Sequence, residues 1–183
     1  MSFLSYSTGF QGVVDVFLHD PGHYLPFTQL MAGIMNGESE LSKPQREMIA
    51  LHVSTLNDCH YCVGSHRAVL AGLDVDKATI SAAEAGAMAD ARMGPVLTFA
   101  AKLTRTPGAV AQADVDALRD AGWSDQTVED VINVVSLFGF LNRLVDGVGI
   151  KGSAEGFAQA GGMISQHGYA PVVQMIQGKA AAA

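Results

Sequence analysis

Both cysteines of this 183-residue chain lie in one short stretch, residues 47–66, which reads EMIALHVSTLNDCHYCVGSH. Cys59 and Cys62 form a C-x-x-C pair. His66 follows the second cysteine by four residues, and Glu47 precedes the first by twelve. A carboxylate, an imidazole and two thiols within twenty residues restrict the local fold to one that can bring them together.

The stretch is predicted to form two helices joined at a corner. Ser42, followed three residues later by Gln45, is a capping-box signature, so the first helix should begin near Lys43. Asn and Asp favour helix ends and turns, which places the end of this helix at residues 57–58. A second helix is expected to run from near Cys59 to Gly72.

Folding these helices back as an antiparallel hairpin aligns the reactive side chains. Glu47 lies ten residues before Asn57 and His66 nine residues after it, so the two reach the same height. Cys59, Cys62 and His66 are spaced by three and four residues, which puts them on one helix face. We therefore expect the four side chains to converge.

The expected chemistry follows from control of the thiol pKa. A free cysteine with a pKa of about 8.5 is mostly protonated at neutral pH, whereas the thiolate is the nucleophile. His66 could accept the proton or stabilise the thiolate as imidazolium, and Glu47 could orient the ring. A second thiol three residues away could resolve an oxidised cysteine as a disulfide. The stretch is predicted to be a dithiol redox centre.

The pattern E-x11-C-x-x-C-x-x-x-H resembles the redox motif of alkylhydroperoxidase D (AhpD), within the carboxymuconolactone decarboxylase-like superfamily. The segment LS at 41–42 leading to RE at 46–47, and FGFLNRLVDG at 138–147, resemble its peroxidase-related branch. The resemblance covers about residues 25–150. One departure is visible, because founding members often carry histidine just before the second cysteine, where this chain has Tyr61 and places His60 earlier.

This resemblance implies an all-α, AhpD-like domain that forms oligomers, a trimer or hexamer. It also implies a peroxidase or disulfide reductase in which Glu47, Cys59, Cys62 and His66 are the catalytic proton relay. We expect an (alkyl) hydroperoxide substrate, no bound cofactor or metal, and a redox-active Cys59–Cys62 disulfide. An external dithiol, a thioredoxin-like or lipoyl reductant, or a peroxiredoxin would be the partner. Cys59 is the usual cysteine for exchange with a partner, being the more exposed in C-x-x-C proteins, whereas Cys62 is nearer His66.

Other interpretations of the four residues stay open at this point. Cys59, Cys62, His66 and Glu47 could bind a metal such as zinc, although no second Cys or His pair exists in the chain. A non-redox decarboxylase could use His66 and Glu47 as acid and base, but it leaves the paired cysteines unexplained. Buried structural cysteines, or a pure interaction protein, explain fewer of the four residues still.

The composition and charge of the chain indicate which partners and location to expect. Hydrophobic residues make up 49% and charged residues 16% of the chain, against a usual charged fraction of about 25%, which predicts a homo-oligomer. The net charge of −7 and the lack of a basic stripe disfavour nucleic acid and anionic membrane surfaces. No signal peptide and no run of eighteen apolar residues is present, so we expect a cytoplasmic protein.

The rest of the chain is predicted to form one all-α domain over residues 1–183, with a helical extension at 1–24 and a C-terminal arm at 150–183. Strand alternation and glycine-rich phosphate loops are lacking. In the arm, only residues 172–176 favour a helical turn or two. The other predicted helices span 12–19, 25–35, 96–103, 112–121 and 126–148. One more helix, capped by Asp74 or Asp76, is predicted to run through Glu84 with a loose continuation to Ala91.

Three polar residues interrupt the longest of these apolar helices, namely Asn142, Arg143 and Asp146. Their spacing suggests an Arg143–Asp146 ion pair at an interface. The alternative is a role in lining the substrate pocket.

Overall fold

The computed structural model describes residues 2–182, and these contain α-helices and short 3-10 turns but no strand. The all-α architecture predicted from the sequence is therefore confirmed. Met1 and Ala183, at the ends of the predicted domain, lie outside the described residues. The helices are α1 Val13–His19, α2 Pro21–Asn36, α3 Lys43–Leu56, α4 His60–Gly72, α5 Lys77–Ala85, α6 Met93–Arg105, α7 Gln112–Asp120, α8 Asp125–Val148, α9 Ala154–His167 and α10 Ala170–Ala181.

Helix α3 lies at the centre of the molecule. It packs against α4, α5, α6 and α8, and every residue from 46 to 54 is buried. Its predicted start is confirmed, because the side chains of Ser42 and Gln45 form the capping box. A helix that is buried all round cannot shift along or rotate without disturbing several neighbours. Side chains on α3 are thus held in fixed positions.

Helix α8, the longest, supports the same core. Ser124 caps its start, and Gly149, in the left-handed region at φ 84°, ends it. It is long and apolar enough to cross a membrane by length and composition, but half of its most apolar window is buried inside the fold, as in the core helix of a soluble protein. Ile132 and Phe140 on α8 stay exposed. The predicted homo-oligomer remains a prediction.

Helix α2 begins four residues earlier than the predicted Leu25. The sequence Asp20-Pro21-Gly22, which falls between the predicted helices 12–19 and 25–35, instead starts this helix. The Asp20 side chain accepts a hydrogen bond from the His23 N–H at 3.2 Å, and proline is favoured in a first helical turn because its missing N–H needs no partner. Similarly, Gly86 ends α5 in the left-handed conformation, so the continuation to residue 91 is wrong.

The predicted C-terminal arm is also wrong, because residues 154–181 form two helices, α9 and α10. Helix α9 lies along α4, and α10 packs on α2. Glycine makes the first contact possible: a Cβ on Gly161 would come within 2.7 Å of the Cβ of Ala68, and one on Gly72 within 2.6 Å of the Ser165 hydroxyl. A glycine on each helix thus permits the close packing of α4 and α9.

Candidate functional site

The predicted convergence of Glu47 and His66 is confirmed. His66 Nδ1 lies 2.6 Å from Oε2 of Glu47, and both side chains are about 4% exposed. The ring of His66 also meets Phe138 edge-on, with 4.4 Å between the ring centroids. A buried carboxylate thus holds a buried imidazole across the α3–α4 hairpin.

The corner of the hairpin sets the register of this pair. Asn57 ends α3, and Asp58 adopts the left-handed conformation at φ 57°. Aspartate tolerates this conformation better than most residues because its short side chain can bond locally. Cys59 then precedes the first residue of α4 and is its N-cap, in agreement with the predicted start near Cys59.

Arg46, next to Glu47, fastens the start of α3 to the end of α2. Its guanidinium donates hydrogen bonds to the carbonyls of Leu41, Ile34 and Gly37 at 3.1, 3.0 and 2.7 Å. Burial lowers the pKa of Arg46, and the charge of Asp130 acts against that effect. The fork of guanidinium donors matches several carbonyls at once, so Arg46 fixes the backbone from which Glu47 projects.

The two thiols differ in their surroundings. Both cysteines are free, and their sulfurs are near each other but not at disulfide distance. Cys59 is fully buried, whereas Cys62 is 5% exposed, so the expectation that Cys59 is the more exposed cysteine is wrong. It fails because Cys59 lies under the hairpin corner.

The pKa values of the pair are pushed apart. A hydrogen bond from the Cys59 thiol lowers the pKa of Cys62, the nearby His66 lowers it further, and burial and Asp146 oppose them. The same contact, together with burial, raises the pKa of Cys59. A thiolate therefore forms at Cys62 in preference to Cys59. The titratable residues that influence Cys62 or lie beside it are Cys59, Tyr61, His66, Asp146 and Tyr169.

Cys62 and His66 open onto a cavity of about 90 Å³ between α1, α4, α8 and α9. Its walls are mostly apolar, and no lysine or arginine lines it among the described residues. The lining comprises Val13, Val14, Phe17, Met31, Tyr61, Cys62, Ser65, His66, Val69, Phe138, Leu141, Val145, Ala160, Met163, Ile164, Tyr169 and Val172. A small apolar molecule with a polar end fits the chemistry of this cavity.

Asn142 belongs to a chain of hydrogen-bonded polar side chains that reaches Cys62. Its amide donates to the Ser54 hydroxyl at 3.0 Å, and its carbonyl accepts from the Asn57 amide at 2.8 Å. A hydrogen bond from Asn142 also favours the thiolate of Cys62 and so lowers its pKa. The predicted ion pair between the neighbouring polar residues is absent, because Arg143 donates to the Gly139 carbonyl instead.

Comparison with known proteins shows the family of this chain. Residues 21–106, which include the whole hairpin, match the model of the carboxymuconolactone decarboxylase family. An uncharacterized peroxidase-related protein from Silicibacter sp. TM1040 is 34% identical, with a TM-score of 0.75, over 81% of this chain and 79% of that one. The chain belongs to the carboxymuconolactone decarboxylase family, in its peroxidase-related branch.

A second solved structure supports the assignment. It is the alkylhydroperoxidase AhpD core of an uncharacterized peroxidase-related protein from Ralstonia eutropha JMP134, 28% identical with a TM-score of 0.73. The match covers 80% of this chain and 78% of that one. A search of curated proteins found no match. The predicted AhpD-like fold is thereby confirmed.

One contact of this site comes from outside the residues that match the family model. The hydroxyl of Tyr169, between α9 and α10, donates to Oε1 of Glu47 at 2.9 Å. The sequence indicated no such contact, because 122 residues separate the partners. Gly168 and Pro171 mark a helix junction there, but they do not identify what the tyrosine contacts.

The metal alternative finds no support in the geometry. Within residues 2–182, no group of three or more His, Cys, Asp and Glu side chains could hold a metal ion. Nδ1 of His66 is already hydrogen-bonded to Glu47. Metal binding would have to use the other ring nitrogen together with the two thiols.

Proposed function

We propose that the protein is a thiol-dependent peroxidase in which Cys62 attacks small apolar hydroperoxides. One observation carries the proposal: Cys62, whose thiol pKa is lowered by Cys59 and His66, lines an apolar cavity beside the Glu47–His66 pair. A thiolate at the wall of an apolar cavity is positioned to meet the oxygen–oxygen bond of an apolar hydroperoxide.

In the proposed reaction His66 first accepts the proton of Cys62, as a base oriented by Glu47. The thiolate attacks the terminal oxygen of ROOH, which breaks the O–O bond and leaves Cys62 as a sulfenic acid. The departing alkoxide takes the proton from His66 and leaves as ROH. Sulfur is oxidised by two electrons, and the hydroperoxide is reduced by two.

Cys59 then completes the cycle. Its thiol attacks the sulfenic sulfur of Cys62, which forms the disulfide and releases water. An external dithiol, of a thioredoxin-like or lipoyl type, returns the disulfide to two thiols by exchange. We place this activity in the cytoplasm and in a homo-oligomer, as the sequence suggests.

The composition of the cavity favours this reaction over a non-redox decarboxylase. A lactone acid carries a carboxylate, which a site normally binds with arginine or lysine. The lining of the described cavity contains neither residue. The decarboxylase alternative also gives no role to the second thiol.

The test combines a rate with a mass. The wild-type protein should consume cumene hydroperoxide in the presence of dithiothreitol, and the oxidised protein should weigh two hydrogens less than the reduced protein. Cys62→Ser should lose the activity. Cys59→Ser should stop at a sulfenic acid on Cys62 that dimedone traps.

Two results would contradict the proposal. In the first, peroxide yields only sulfonic acid on the cysteines. In the second, zinc copurifies stoichiometrically and prevents oxidation.

A further inference from the structure

Tyr169 reaches the candidate site from the C-terminal helix pair. Its side chain is buried, it lines the cavity that Cys62 and His66 also line, and its hydroxyl lies 2.9 Å from Oε1 of Glu47. It lies outside residues 21–106, the part that matches the family model. The C-x-x-C motif with its glutamate and histidine therefore does not include this contact.

The backbone of Tyr169 is held by a hydrogen bond of its own. Its N–H donates to the side-chain oxygen of Asn36, at the end of α2, at 2.8 Å. Gly168, at φ 64°, leaves room for this approach, since a Cβ there would lie 2.6 Å from the Asn36 amide nitrogen. Tyr169 is thus anchored to α2 while its ring enters the cavity.

The hydrogen bond to Glu47 has a fixed direction. Burial, and then the charge of Glu47, raise the pKa of Tyr169 well above its ordinary value, so the phenol keeps its proton and donates. Glu47 therefore accepts from the hydroxyl at Oε1 and from His66 Nδ1 at Oε2. Both oxygens of the buried carboxylate are occupied by donors from different parts of the chain.

This arrangement determines which nitrogen of His66 is free. A carboxylate only accepts hydrogen bonds, so the ring nitrogen facing it carries the hydrogen. The other nitrogen, Nε2, then keeps its lone pair and can take the proton of a thiol. If the Glu47 carboxylate rotated away from His66, Nδ1 would no longer have to carry the hydrogen. The hydrogen bond from the Tyr169 hydroxyl opposes that rotation.

We propose that Tyr169 is a positioning residue of the dithiol site: its hydroxyl holds Glu47 so that His66 presents an unprotonated Nε2 to Cys62. The inference rests on the proposed function, which gives the activated Cys62 thiol its role. It concerns thiol activation alone, so it can fail or hold independently of which oxidant the protein reduces. A merely structural tyrosine would contribute to stability and leave thiol reactivity unchanged.

Tyr169→Phe tests this inference, because it keeps the ring and removes the hydroxyl. The rate of Cys62 alkylation by iodoacetamide is followed against pH in the full chain, with the modified peptide quantified by mass spectrometry. We expect the apparent pKa of Cys62 to rise and the rate at neutral pH to fall by about threefold to tenfold. Tyr24→Phe, which removes a phenol hydroxyl from α2, should keep the wild-type profile.

A double variant separates positioning from general loosening of the site. In a Glu47→Gln background, Tyr169→Phe should produce little further change, because the hydroxyl acts through the carboxylate. Independent, additive effects of the two substitutions would overturn the inference. An unchanged profile in Tyr169→Phe would overturn it as well.

Asn36→Ala keeps the inference testable if Tyr169→Phe does not fold. It retains the phenol and removes only the acceptor of the Tyr169 N–H. We expect a shift of the Cys62 profile in the same direction and of smaller size. A wild-type profile in Asn36→Ala would count against the positioning role.

These outcomes remain separate from those of the peroxidase assay. Alkylation requires no hydroperoxide, so a shifted profile in a protein that does not consume cumene hydroperoxide would support the role of Tyr169 and contradict the proposed function. If the protein consumes cumene hydroperoxide but Tyr169→Phe keeps the wild-type alkylation profile, the proposed function would be supported and the role of Tyr169 contradicted.

Discussion

The α3–α4 hairpin and the α9–α10 pair contribute to one site in different ways. The hairpin carries Glu47, Cys59, Cys62 and His66 within twenty residues of chain, and local signals define its ends. The C-terminal pair contributes one polar contact, from Tyr169, and apolar cavity wall. Reactive groups are thus concentrated in a locally encoded unit, whereas their enclosure depends on helices far away in sequence.

Two neighbouring glycines within the α9–α10 pair have opposite effects. On α9, Gly161 is buried against Ala68 of α4, whereas its neighbour Gly162 has no atom within 4 Å of where a Cβ would stand. At position 161 glycine is required for close packing, whereas at position 162 it only lowers the stability of the helix. Substitution of each glycine shows whether α9 is packed as described.

The largest expected effect comes from this pair of glycines. Gly161→Ala places a methyl group 2.7 Å from the backbone and Cβ of Ala68, and overpacking of this kind lowers the free energy of unfolding by about 1–3 kcal/mol. Gly162→Ala should raise it by roughly 0.5–1 kcal/mol, because alanine favours helix. Urea unfolding monitored by circular dichroism measures both. Stabilisation by both substitutions would mean that α9 does not pack on α4 in solution.

The next largest effect concerns the α3–α4 hairpin, which carries the reactive side chains. Glu47→Gln keeps the shape of the side chain and removes the charge that favours imidazolium at His66, so the pKa of the Cys62 thiol should rise. A rise of one unit corresponds to about 1.4 kcal/mol, and alkylation at neutral pH slows by up to about tenfold if the wild-type pKa is about 7 or below. His66→Ala should slow it at least as much.

Two further variants give this measurement its controls. The Glu47→Gln, His66→Ala double variant should be far from additive, because both residues act through one proton. Glu129→Gln, which removes an exposed carboxylate on α8, should react like the wild type. An unchanged pH profile in Glu47→Gln would leave Glu47 a structural carboxylate.

The smallest effect tests the opposite face of the hairpin. Burial lowers the pKa of His52, whose Nδ1 lies 3.1 Å from the Glu84 carbonyl on α5. The unfolded chain, with a histidine pKa of about 6.5, then binds this proton more tightly than the folded one. Stability from His52 is complete above about pH 6.5 and is lost as the pH falls below that value.

The contribution of His52 to stability is measured from the free energies of unfolding at pH 8 and pH 5. The decrease between them should be smaller in His52→Gln than in the wild type, because the pKa of His52 is lowered in the folded state. His19→Gln, which alters an exposed histidine on α1, should retain the wild-type decrease. Equal decreases in all three proteins would exclude His52 as an acid-sensitive group.

The sequence predicts the hairpin well because its evidence is local. The capping box at Ser42 and Gln45, the break at residues 57–58 and the spacing from Cys59 to His66 each depend on neighbours within a few residues. From these signals, the contact between Glu47 and His66 follows without knowledge of the remaining chain.

Other parts of the site escape this kind of reasoning. The contact of Tyr169 with Glu47 depends on how α9 and α10 pack on α4 and α2, and glycine-rich sequence does not distinguish close packing from flexibility. The burial of Cys59 was missed for a similar reason, since a C-x-x-C motif does not reveal what covers its first sulfur. Long-range packing decides both.

The burial of the two sulfurs has a consequence for the return of electrons. Cys59 has no exposed surface and Cys62 only 5%. If the protein works as proposed, a dithiol on a slender, flexible arm, such as a lipoyl group, would reach these sulfurs more readily than one on the flat face of a thioredoxin-like protein. The electron donor would then be selected by its reach as well as by its reduction potential.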